Sequence, residues 1–121
     1  MKFILEGEYS TLNEYSDANR THYRYGASIK KAETARAVYE LMVHQEVLKL
    51  PAPKSVFKFT WYRKNKRTDP DNICFAKKFI LDAMEEVGII DNDGWKNVAG
   101  FIDEFEVDKD NPRVEIELLE E

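Results

Sequence analysis

Two carboxylates set one residue apart, Asp69 and Asp71, flank Pro70 and precede Asn72, and a further aspartate, Asp93, follows some twenty residues on. In an extended segment residues i and i+2 point to the same face, so this pair can present both carboxylates to one ion. Pro70 favours that extended conformation at Asp69 and stiffens the pair. Carboxylates crowded together repel unless a cation or a proton sits between them. Oxygen ligands of this kind suit a hard divalent ion, Mg²⁺ before any other, with Mn²⁺ as its natural substitute. His22, His44 and Cys74 stand apart from one another and offer no competing soft-ion site. Mg²⁺ keeps several waters and commonly takes only one or two carboxylates plus a substrate phosphate, so the chemistry implied is metal-assisted work on phosphate. The plainer reading stands beside it, because Asp-Pro-Asp-Asn is also good turn and N-cap chemistry.

The elements that must position these residues are legible from periodicity. Lys2–Glu8 alternates as a strand, and the polar stretch Ser10–Asn19 reads as a loop. From Ser28, placed as an N-cap, to about Leu48, apolar residues Ile29, Ala32, Ala35, Tyr39, Met42 and Val43 recur at helical spacing. Pro51 and Pro53 end that helix, and Ser55–Arg63 then alternates Phe57, Phe59 and Trp61 in an aromatic, β-rich strand. A second helix is expected over Asn72–Val87, capped by Asp71 or Asn72, with Ile73, Ala76, Ile80, Ala83, Met84 and Val87 inward and Gly88 as its C-cap. Its N-terminus favours an anion such as phosphate beside the metal. Two strands, Asn97–Val107 and Arg113–Leu119, close the chain through the turn Asp108–Pro112. The expected fold is one small α+β domain over residues 1–121, in the order β-α-β-α-β-β, with a mixed sheet and two main helices.

After the second helix, Asp91 and Asp93 share a Gly-containing loop, and five extended residues span about 15 Å, enough to bring Asp93 back towards the pair. It also has the reach to serve a neighbouring subunit. Asp91-Asn92-Asp93-Gly94 has a calcium-loop flavour, but the twelfth position falls on Gly100 where a bidentate Glu is needed, which excludes that reading.

Net charge is −5, which alone argues against a nucleic-acid partner. The average conceals a split: 13 Lys and Arg against 7 Asp and Glu in residues 1–67 (net +6), and 5 against 16 in residues 68–121 (net −11). A basic front half with Arg20, Arg24, Lys30, Lys31, Lys58, Arg63, Lys64, Lys66 and Arg67 can offer a phosphate-binding face, or merely a solvated one. The lone Cys74 allows no internal disulfide, and neither a leader nor a long apolar run is visible, so a reducing cytosol and no membrane association are expected.

The ordered set Asp69-Pro70-Asp71-Asn72, then Lys77-Lys78-Phe79-Ile80-Leu81-Asp82-Ala83-Met84, then Gly88-Ile89-Ile90-Asp91-Asn92-Asp93-Gly94-Trp95, resembles the core of the RusA family of Holliday junction resolvases. These are small endodeoxyribonucleases of phages, prophages and their bacterial hosts. The resemblance covers residues 60–96 well, and extends more weakly to Leu12-Asn13 and the closing strand. It implies that Asp69, Asp71 and Asp93 bind the metal, that the substrate is branched four-way DNA, and that the working unit is a cytoplasmic homodimer without an organic cofactor. Paired cuts would leave ligatable nicks.

The family's active-site lysine stands four residues after the second aspartate, where this chain has Phe75. Counting back from Leu81-Asp82-Ala83-Met84 aligns Lys78 instead. At about 100° per residue Lys78 keeps the required helical face, Lys77 turns away from it, and one extra turn displaces Lys78 by only some 4.5 Å. The plain alternative for Lys78 is an i,i+4 pair with Asp82. Lys64, Lys66, Arg67, Lys77, Asn13 and Arg20 are the expected DNA contacts. Phe59, Trp61, Tyr62 and Trp95 are either core or stacking residues, with dimer contact a further option for Trp95. A different nuclease, or a non-catalytic DNA-binding protein whose aspartates only cap a helix, remains as an alternative function.

Overall fold

Strict alternation in β2 (Ser55–Arg63) buries Phe57, Phe59 and Trp61 on one side of the sheet. In the computed structural model, which describes residues 1–44 and 51–120, β2 is flanked on both sides. β4 (Arg113–Glu120) runs antiparallel to it and sends Val114, Ile116 and Leu118 to the same side. β1 (Lys2–Glu6) pairs antiparallel with β4 and adds Phe3 and Leu5. On the other side β3 (Val98–Val107) runs parallel to β2, giving the strand order β1-β4-β2-β3 and the mixed sheet expected. Parallel neighbours need a crossover, and here it is helical, formed by α3 (Pro70–Cys74) and α4 (Lys77–Glu86). Phe79, Ile80, Ala83 and Met84 of α4, with Ile89 and Ile90 after it, lie fully within the core.

The helices depart from the sequence reading in three places. The segment read as a loop contains α1 (Leu12–Thr21), which buries no residue of its own. A capping box starts it: the Thr11 hydroxyl accepts from the Glu14 backbone N–H, and the Glu14 carboxylate accepts from Thr11. Tyr15 anchors it through ring contacts with Phe75 and Phe79 at 5.4 and 6.0 Å.

α2 (Tyr23–His44) begins before Ser28, which is therefore mid-helix and no cap. Its buried residues are Gly26, Glu33, Ala37 and Leu41; of the expected stripe Ile29 packs against the core, whereas Ala32 and Ala35 are exposed and Tyr39, Met42 and Val43 are 68, 63 and 56% exposed. The reason is polar. Buried Glu33 accepts the Ser10 backbone N–H at 2.7 Å, while Arg36 donates to the Glu8 carbonyl at 3.0 Å and lies 3.7 Å over the Tyr9 ring. Charged residues that tie down the β1–α1 connection thus hold positions an apolar pattern assigns to hydrophobes. The expected continuation to Leu48 lies outside the described residues.

The single helix expected over Asn72–Val87 is broken. Bonds of i to i+3 type at Ala76, Lys78 and Phe79 tighten the chain between α3 and α4. The cap is Asp69, not Asp71 or Asn72, with Pro70 at the first helical position. Gly88 ends α4 at φ +83, the left-handed conformation glycine adopts freely, as its position in the sequence implies.

Candidate active site

Where β2 leaves the sheet, backbone bonds shape the chain that carries the acidic pair. The Lys64 N–H donates to the Glu8 carboxylate at 2.9 Å, and the Arg67 N–H to the Asn65 side chain at 3.0 Å. Asp69 then adopts φ −69, ψ 147, the extended form a following proline requires. It caps α3 with its backbone alone, and its carboxylate accepts no capping hydrogen bond. Asp71 is exposed in the first turn and accepts the Asn72 N–H at 3.0 Å. Asp69 borders a depression of about 460 Å³ shared with Arg63, Lys66, Thr68 and Phe105.

One turn on, Lys77 reaches across to β3. Its ammonium pairs with Asp103 at 2.5 Å and sits 4.4 Å from the centre of the Phe101 ring. Asp103 also accepts the indole N–H of buried Trp61 at 2.9 Å, which fixes the carboxylate to the sheet. Sequence reasoning missed Asp103. The only signal was its register, opposite Phe59 in the parallel ladder, and that is visible only once the strands are paired.

Lys78 points the other way along α4. It donates to Asp82 at 3.0 Å and to Asp93 at 3.1 Å, so the i,i+4 pair and a contact with the downstream aspartate coexist. Those two carboxylates raise the Lys78 pKa above its ordinary 10.5 and keep it cationic at neutral pH. Lys30 of α2 approaches Asp82 from outside at 3.9 Å.

Among the described residues, the group of three ligand-type side chains whose donor atoms all lie within 4.8 Å of one another is Asp82, Glu85 and Asp93. Neither Asp82 nor Glu85 was read from the sequence as a metal ligand. Asp93 is therefore joined to Lys78 and to these two residues, and Asp69 and Asp71 lie outside that group. Burial pushes the Cys74 thiol pKa up first, with Asp103 and Asp71 also raising it and Lys77 opposing them. Lys77 thus pairs with Asp103 on β3, and Lys78 with Asp82 and Asp93, while Asp71 stands exposed on α3. The donors of this group are all carboxylates, the ligand type of a hard divalent ion, and the Lys78 ammonium at present balances Asp82 and Asp93.

The expected DNA contacts divide. Lys64, Lys66, Arg67, Asn13 and Arg20 are exposed, whereas Lys77 is half-buried in its pair with Asp103. Phe59 and Trp61 are core residues, stacked at 5.4 Å, and the Tyr62 ring is covered by Arg113 at 3.7 Å. Trp95 is 92% exposed beside Asp93 and so is no core residue.

Fold and site together define a small α+β domain in which the lysines of the crossover helix pair with aspartates of that helix, the loop after it and β3. The chain belongs to the endodeoxyribonuclease RusA family, whose model matches residues 10–119. Family membership implies endodeoxyribonuclease activity on DNA junctions. Among curated proteins no match to the chain was found. No helix among the described residues is long and apolar enough to cross a membrane.

Proposed function

We propose that this protein resolves four-way DNA junctions as a Mg²⁺-dependent homodimer, by hydrolysing one phosphodiester in each of two strands. The observation that carries the reading is the family match over residues 10–119, in a chain whose Asp93 gathers with Asp82, Glu85 and the Lys78 ammonium. Asp69, Asp71 and Asp93 would hold the metal, with Asp82 and Glu85 adjoining Asp93. A bound divalent ion supplies Lewis-acid polarisation of the phosphate and a more acidic water. Asp71 or Asp93 would accept a proton from the attacking water, whose oxygen would bond to phosphorus as the bond to the 3′ oxygen breaks and that oxygen takes up a proton from solvent. Lys78, held cationic by its neighbours, offsets charge that develops on the phosphate oxygens. Lys64, Lys66 and Arg67 lie on the loop before the acidic pair and contact the backbone on either side.

Two cuts require two sites. The apolar face of α2 that the fold leaves uncovered, Tyr39, Met42 and Val43, supports pairing with a second copy. The bland reading, in which the aspartates only cap a helix, is weakened because the Asp69 carboxylate makes no capping bond. Cleavage of a synthetic four-way junction and of linear duplex, each with and without Mg²⁺, tests the reading. Symmetric nicks confined to the junction are expected, and equal cutting of both substrates would point instead to a nuclease of another preference.

A further inference from the structure

The corner between α1 and α2 joins basic and aromatic side chains. Residues 18–32 contain Arg20, Arg24, Lys30 and Lys31 and no acidic residue, in a chain of net charge −5. Aromatic rings stand out from the same corner, with Tyr23 68% and Tyr25 56% exposed. His22 stacks on Tyr23 at 4.6 Å, near-parallel at 27°, and lies 6.0 Å from Tyr25. Arg24 rests over the Tyr23 ring at 5.9 Å. The side chain of Arg20 is 79% exposed. Tyrosines that serve the core do not stand open to water, and solvated charge alone does not gather rings.

The corner is held in place. Gly26 is buried against Asn19 near the end of α1, and a Cβ there would meet the Asn19 side-chain oxygen at 1.7 Å, so a larger residue would push that side chain aside. The Thr11 capping box and the Tyr15–Phe75 contact tie α1 to the start of the acidic edge. Lys30 joins the same helix to Asp82, next to Lys78 and Asp93. From Lys30 back to Tyr23 the helix rises about 10 Å. At about 3.4 Å per nucleotide along one strand, that is roughly three nucleotides from the carboxylates.

We infer that Tyr23 and Tyr25, with Arg20 and Arg24, form a platform on which unpaired bases at the branch point of a DNA junction stack. The inference rests on the proposed function, and names the surface that selects branched over continuous DNA. Bases in intact duplex are already stacked on one another and gain nothing from exposed rings. At a branch point they have lost a neighbour, and an aromatic face replaces it. The arginines supply phosphate contacts that hold the strand against the rings.

The test uses the full-length chain and a four-way junction carrying 2-aminopurine at the crossover, with binding measured in EDTA so that cleavage does not intervene. Replacing both tyrosines by alanine should weaken junction binding between about ten- and a hundred-fold and lower duplex binding less than three-fold. The double Tyr→Phe variant should bind like the parent, because the ring and not the hydroxyl does the stacking. The aminopurine signal should change on binding of the parent and the Phe variant, and not of the Ala variant. Unchanged junction affinity and aminopurine response in a folded double-Ala variant would overturn the platform while leaving a cleaving parent's function intact. So would a loss of affinity that sedimentation traces to dissociated dimers. A parent that neither binds nor cuts junctions would remove the functional reading itself, and the platform with it.

Discussion

The acidic edge and the basic corner answer the same substrate in opposite ways. Along α4 and β3 both lysines of the helix are paired: Lys77 with Asp103, which also holds the Trp61 indole, and Lys78 with Asp82 and Asp93. At the α1–α2 corner the long cationic side chains stand in solvent, with Arg20 making only an exposed pair with Asp17. Chemistry needs carboxylates held in register, because small misplacement at a reacting phosphate is costly, and the edge obtains that rigidity from the sheet. Electrostatic capture tolerates mobile groups, since it depends on charge and on released counterions rather than on fixed geometry. The net charge of −5 is therefore the sum of two surfaces with different tasks.

The sharpest way to break this comparison is at Asp71. Asp71→Asn keeps the shape of the side chain and removes its charge, so junction cleavage should fall on the order of a thousand-fold while binding in EDTA is retained or improved. Parallel losses of binding and cleavage would mean that the edge is a binding surface after all. Lys78→Ala should lower single-turnover cleavage on the order of a hundred-fold, with Lys78→Arg recovering part of it. Arg24→Gln and Lys31→Gln should act on the other surface. Each should reduce the slope of log affinity against log salt by about one, whereas Asp71→Asn leaves that slope unchanged. A salt slope that moves with the aspartate rather than with the basic residues would reverse the assignment.

Much of this arrangement was legible because local chemistry and tertiary structure agree there. Alternation in Ser55–Arg63 and Arg113–Glu120, the left-handed Gly88 and the extended Asp69 before Pro70 all follow from residues close in sequence. What failed did so where a distant partner decides. The inner face of α2 was misread because Glu33 and Arg36 serve the loop at Glu8–Ser10, more than twenty residues away. Lys77 meets Asp103 of β3, a partner that no count along the helix reveals. Asp103 itself sits mid-strand without a motif. α1 was the avoidable loss, since Thr11 and Glu14 already spelled a capping box ahead of a polar helix.

Asp103 offers a gentler test of whether the edge is rigid by design. Asp103→Asn retains an oxygen for the Trp61 indole but surrenders the charge that holds Lys77. Stability should drop by about 0.5 kcal/mol, in the range of partly exposed ion pairs, while Asp103→Leu strands the buried indole N–H and should cost roughly 2 kcal/mol. Equal melting temperatures for the two variants would show that the hydrogen bond to the sheet does not anchor the carboxylate.

The smallest effect expected is on alkaline stability, and its sign follows from Lys78. Asp82 and Asp93 raise its folded pKa above 10.5, so the folded state holds this proton more tightly than the unfolded chain does. The stabilisation is therefore fully present below 10.5 and declines as pH rises through the higher folded value. Chemical denaturation of the parent and of Lys78→Met should differ by a constant, small amount up to about pH 10 and converge above it. A gap that persists unchanged into strong alkali would assign the contribution of Lys78 to the packing of its stem, and the acidic edge would then owe less to charge than its pairing implies.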